Sequence, residues 1–241
     1  MLGKKGLAVV VTVATLVLLI KLGWWQLDRA AEKQQLAQQY QQRAAQQLQW
    51  PLPSGDLRGY GLQITGRWLS QYGLLLDNQV WQGAIGYRWL VPVEISPSQP
   101  WLLVDLGFVE TGGNRQSLPS LPPLPKVSQL QGRLLQPGVN RLADQLLPEA
   151  LVTPAGAAIT RVQALNWQQL QQHWQQPIVA ALLWLEQPQQ LGFVKPWQPL
   201  NMGADKHRAY ALQWFSLALA LLIIVLVLWR KQKTAVATVS S

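Results

Sequence analysis

His207, Tyr210, Ala211 and Trp214 fall at i, i+3, i+4 and i+7, so a helix starting near Asp205 carries them on one face. That face presents an imidazole, a phenol one turn deeper and an indole below it. Lys206 and Arg208 flank the imidazole. An imidazole nitrogen can ligate haem iron, an aromatic face can pack on a porphyrin, and cations can hold its propionates. These residue types therefore suit a flat apolar macrocycle with acidic edges, with His207 as its iron ligand. Near the other end of the chain Trp25 and Arg29 stand at i, i+4, so Arg29 can reach outward while Trp25 anchors. An aromatic belt at a membrane interface would use the same residues and need no ligand, and spacing alone favours that plainer reading.

Other chemistry has little to work with. The chain has two histidines and no cysteine, which excludes a thiol nucleophile, a disulfide framework and a Cys-ligated metal. No HExxH stretch and no glycine-rich phosphate loop is present. Gly112-Gly113-Asn114 reads as a turn, and Asp77 and Asp105 as structural acids at strand ends. A Ser-His-Asp triad would have to rest on His207. The expectation is that the protein is not an enzyme.

Two apolar segments must position these residues. Residues 6–25 and 207–229 each approach the roughly 20 residues of helix that cross a bilayer. The run from Leu217 to Leu228 has no ionisable group. The first run stops at Lys21, whose stem can snorkel to the headgroups. A cleaved signal peptide would fit Lys4 and Lys5, but Trp24 and Trp25 follow the apolar run where small residues should mark a cleavage site. An uncleaved anchor is the better reading. Lys4, Lys5, Arg230, Lys231 and Lys233 are basic flanks without an acid, so both termini are expected in the cytoplasm. Residues 1–5 and 230–241 are then cytoplasmic tails, and residues 26–206 lie outside, in a bacterium the periplasm beyond the inner membrane.

Those same flanks supply five charges of the formal net +9, and the other arginines are scattered, so nucleic acid is excluded as a partner. The lipid bilayer is the partner that the flanks fit.

The outer segment reads as one mostly β domain on a helical stalk. Residues 28–49 are rich in Ala, Gln and Arg and should continue the first helix until Pro51 and Pro53 end it. Tyr60, Leu62 and Ile64 alternate with polar or small residues, the period of a strand with one wet face. Strands are also expected over 73–77, 86–95, 101–109, 127–135, 157–164 and 178–185, with turns at Asn78-Gln79 and at 97–100. Asn166 can cap a helix over 167–174 whose Trp167, Leu170 and Trp174 share a face, leaving His173 in solvent. Residues 117–125 form a proline-rich surface loop. The fold class is an α+β membrane protein, two transmembrane helices flanking a mostly β periplasmic domain.

Gly23-x-Trp25-Gln26-Leu27-x-Arg29, followed by Lys33, and His207-x-x-Tyr210-Ala211-x-Gln213-Trp214-Phe215 resemble the terminal signatures of the Surfeit locus protein 1 family. Leu75-Leu76-Asp77-Asn78 and Gly83-x-x-Gly86-Tyr87 are also similar to family positions. So is Val104 to Val109, although Leu106 and Phe108 stand where the family usually has arginine and tryptophan. The resemblance implies an assembly factor for haem-copper cytochrome c oxidase that promotes insertion of haem a into the catalytic subunit. It implies that subunit as partner, with haem a synthase a further candidate, and a place in the respiratory chain. Carried over by position, His207 becomes the haem ligand, with Trp25, Arg29, Arg208, Tyr210 and Trp214 around it. The same residues could instead hold the two helices together or dock the oxidase subunit, which would make the protein a scaffold that never touches haem.

Overall fold

A computed structural model describes residues 3–111, 118–137, 145–195 and 202–239. The chain divides into two compact units, one of residues 1–38 with 200–241 and one of residues 39–199. The turn expected at Gly112-Gly113-Asn114 lies outside the described residues.

The first unit is helical. Helix α1 runs Lys4–Ala44 and helix α3 runs Ala204–Val239. Both are long and apolar enough to cross a membrane. Their apolar stretches are largely uncovered by the rest of the chain, with Val9, Val13 and Leu18 exposed on α1 and Leu219, Ile223 and Leu226 on α3. Bare aliphatic surface of this extent is what a lipid-facing helix presents.

In the second unit α1 ends at Ala44, five residues short of the predicted stop. Its end is pinned from the side. The Arg43 guanidinium donates to Asp56 at 2.8 Å and to the Arg58 carbonyl at 3.1 Å, and lies 5.0 Å over the Tyr60 ring. Tyr40 packs so closely on Gly59 that a Cβ there would stand 2.7 Å from its ring. Strand β1 (Gln47–Leu48) then takes a parallel place beside β2 (Gly61–Trp68), so the backbone expected to be helical is spent on a sheet edge.

The other strands are β3 (Leu74–Trp81), β4 (Ala84–Glu94), β5 (Trp101–Glu110), β6 (Val127–Leu135), β7 (Glu149–Val152), β8 (Ala158–Val162) and β9 (Ile178–Gln187). Their order is β1-β2-β6-β9-β5-β4-β3-β8-β7, and β2 also pairs with the far end of β4 through Arg67↔Glu94 and Trp68↔Val93. That extra pairing closes a five-stranded barrel of β2, β6, β9, β5 and β4. Its interior holds Leu62, Tyr87, Val91, Val104, Leu130 and Leu183. Strand β5 is buried on both faces, which its nearly unbroken apolar sequence requires. Its other face, with Trp101 and Leu103, meets a second core under helix α2 (Trp167–Trp174). There the Trp101, Tyr72 and Trp174 rings pack at tilted and edge-on angles with centroids 4.9 to 6.0 Å apart. Asn166 caps α2 by accepting from the Gln169 amide at 3.1 Å, and His173 is exposed.

Two local expectations are corrected. Asn78-Gln79 is not the hairpin turn: the pair sits within β3 at a bulge, with Asn78 at φ 57°. The turn is Gln82-Gly83, at φ 50° and 83°, the left-handed pair that a two-residue hairpin needs. The proline-rich stretch is also not wholly a surface loop, since Leu118, Leu121 and Leu124 pack on the barrel core.

Candidate functional site

The facing residues of the helical pair repeat at three- and four-residue intervals. On α1 these are Gly23, Gln26 and Ala30, and on α3 they are His207, Ala211, Trp214 and Ala218. Small side chains let helix backbones approach without a hydrophobic driving force, as membrane helices require. Gly23 is the tightest point: a Cβ there would stand 2.5 Å from the Phe215 ring. Trp24 meets the same ring edge-on, 6.1 Å between centroids.

Within this seam His207 is buried, 9% exposed, and its Nδ1 lies 2.7 Å from the Gln26 side-chain oxygen. An amide oxygen can only accept, so in this contact Nδ1 is the donor. Among the described residues no group hydrogen-bonds Nε2. Two turns further along α3 the Trp214 Nε1 is buried and likewise has no hydrogen-bond partner among them. A buried indole donor ordinarily finds an acceptor.

The other predicted site residues fall around this pair in different ways. Arg208 donates to Gln34 across the seam and to Asp205 at 3.0 Å on its own helix. Arg29 pairs with Glu32 at 2.6 Å and lies 5.8 Å over the Trp25 ring. Trp25 is 48% exposed and Tyr210 45%, so both flank the seam rather than line it. The structure thus brings His207 and Trp214 to the helix contact, and leaves Trp25, Arg29 and Tyr210 at its margin.

Gln26, Gly23 and Phe215 were not read as site residues from the sequence. Nothing in the sequence pairs Gln26 with His207, 181 positions away; the contact alone does.

Of these residues His207 is the one that could ligate a haem iron, and Gln26 could orient its ring through the other nitrogen, as a metal-bound histidine's second nitrogen is usually held. Trp214 provides a donor and an aromatic face below it.

The two buried acids among the described residues are engaged within the second unit. Asp105, fully buried, pairs with Arg88 and accepts from the Gly107 amide at 2.9 Å. Burial pulls the Arg88 guanidinium down to about 10, still well above neutrality, so the pair stays ionic. Asp77 accepts from the Asn78 amide at 2.7 Å and from Gln163 at 3.3 Å. The Leu106-Gly107-Phe108 stretch is a close backbone junction: Gly107, at φ 103°, faces the Phe193 and Val194 carbonyls, either of which a Cβ would meet within 2.7 Å. A cleft of about 510 Å³ beside it is lined by Trp184, Glu186 and Lys195 among others. Its Lys195 amine donates to the Gln189 and Phe193 carbonyls, and Arg133 pairs with Glu186.

A model of the SURF1 family matches residues 13–219 of the 241, from the first apolar run through the seam residues of α3. The chain belongs to the SURF1 family. This is a family of assembly factors and not a known enzyme class, and membership is consistent with a part in cytochrome oxidase assembly. No individual curated protein matches the chain.

Proposed function

We propose that this SURF1-family chain holds haem a at the outer ends of its two apolar helices and promotes its insertion into the catalytic subunit of a haem-copper cytochrome c oxidase. The observation that carries this reading is the His207–Gln26 contact. It orients the imidazole through Nδ1 and leaves Nε2 unspent on any described residue. Bound haem would supply a redox-active iron that takes an axial donor. The chain's own part is to bind, orient and release: His207 donates the lone pair, Gln26 fixes the ring, and Trp214 offers an aromatic wall. Arg29 and Arg208 sit where headgroup-level cations could meet propionates, exchanging their present partners Glu32 and Asp205. Both helices cross the inner membrane of a bacterium in this reading, with both termini in the cytoplasm and the barrel in the periplasm.

A scaffold that grips the oxidase subunit without haem is the second reading. The close packing of Gly23 on Phe215 favours it, since that contact uses family-motif residues for helix pairing alone. The two readings separate in cells deleted for the native copy and complemented with variants. Under the haem reading, His207→Ala membranes contain the factor at normal level and an oxidase depleted in haem a. Haem a content equal to that of the unaltered protein would favour the scaffold.

A further inference from the structure

The tip of the β3–β4 hairpin breaks the rule for a solvent-exposed strand pair. Such a pair normally keeps one polar face, because only the other has a core to meet. Here Val80 stands opposite Ile85 on one face, and Trp81 opposite Ala84 on the other. Val80 is 63% exposed and Ile85 44%. No Asp, Glu, Lys, Arg or His occurs between Asp77 and Arg88. The Trp81 ring reaches Phe108 at 5.9 Å, and Phe108 is bridged to Val194, itself 57% exposed. The tip is therefore an uncharged finger with Val80 and Ile85 bare on one face, Trp81 on the other, and Gln79 and Gln82 its polar side chains.

We propose that this finger enters the headgroup–acyl boundary of the lipid bilayer through its exposed Val80–Ile85 face, with Trp81 beside the Gln82-Gly83 turn at the interface. Tryptophan is the residue that prefers that depth, and a few aliphatic side chains suffice when the rest of the chain is already tethered. The tether is short, since residues 196–203 alone separate Lys195 from the start of α3, a reach of roughly 30 Å at full extension. A protein partner fits the patch less well, because a stable interface needs about 20 residues a side and the exposed apolar patch here is a handful. The proposal rests on the reading that α1 and α3 span the membrane.

The absence of cysteine makes the test direct. Val80→Cys, Val152→Cys and Leu222→Cys in the full chain each carry a single environment-sensitive dye. Each is reconstituted into phosphatidylcholine–phosphatidylglycerol vesicles. Val152 is 67% exposed on the edge strand β7 and reports water, while Leu222 on α3 reports lipid. The dye at position 80 is expected to emit to the blue of that at 152. It should resist aqueous iodide several-fold better and be quenched by brominated lipid. A position 80 dye that behaves as at 152, with position 222 still in lipid, overturns the finger and leaves the spans intact. An aqueous position 222 removes the spans and the finger together. Protection at 80 that appears only when oxidase-containing membranes are added would mean a protein occupant, and would also overturn the proposal. Ile85→Lys should weaken the shift at position 80 without altering barrel unfolding, and an unchanged shift would again count against it.

Discussion

Gly23 of α1 lies directly against the ring of Phe215 of α3, with no room between them for a methyl group. A valine at 23 should therefore force the helices apart or turn the ring, at a cost of about 1 to 3 kcal/mol. Thermal unfolding of the detergent-solubilised chain should show Gly23→Val destabilised and Gly23→Val/Phe215→Ala partly restored. If the double variant is no better than the single one, the ring is not what fills that space.

The orientation of the helices is open to a fusion test. With both termini in the cytoplasm, alkaline phosphatase joined after Gln136 should be active and after Lys233 inactive. The opposite pattern would reverse the topology inferred from the basic flanks.

Arg88 and Asp105 form the barrel's most buried ion pair, with Asp105 fully shielded and Arg88 one-fifth exposed. Removing one partner strands the other charge, so Asp105→Ala should lose about 3 to 5 kcal/mol, measured by denaturant unfolding. Replacing the pair together, as Arg88→Met/Asp105→Leu, should lose much less. Equal losses would show that packing, not the stranded charge, dominates.

Asp56 links the end of α1 to the barrel in a pH-dependent way. Its carboxyl is held well below the ordinary range, first by the Arg58 side chain and then by Arg43, against an opposing contribution from burial. A depressed carboxylate stabilises the fold fully above its unfolded value, near 4, and the contribution erodes as pH falls toward the folded value. Unfolding of the isolated pH series should therefore show a loss of stability below about pH 4 that is smaller in Asp56→Asn. An identical acid profile in the variant would remove Asp56 as a source of that dependence.

Much of this architecture could be read from residue order because its causes are local. The apolar runs, the alternation around Leu62 and Ile64, and the Asn166 cap each act within a few residues. What escaped reading depends on distant partners. The α1 helix ends at Ala44 because Asp56, Arg58 and Gly59 meet Tyr40 and Arg43, not because Pro51 lies ahead. Barrel closure depends on Trp68 meeting Val93, a pairing no periodicity announces. Strand β7 carries only Glu-Ala-Leu-Val and exists because β8 offers it an edge. At the site, His207 and Trp214 were legible from helical spacing. Gln26 was not, since the residue that orients an imidazole across two helices is named by the contact and not by the sequence around it.

The central claim is that His207, oriented by Gln26, presents a free nitrogen to haem iron. The absorption spectrum of the full chain, purified in detergent from cells making haem a, tests it most directly. The unaltered protein and His173→Ala should carry the same Soret band, Gln26→Ala a weakened one, and His207→Ala none, with all four inserted in the membrane at equal level. A normal Soret band in His207→Ala, or none in the unaltered protein, would contradict the ligand assignment and leave the scaffold reading in its place.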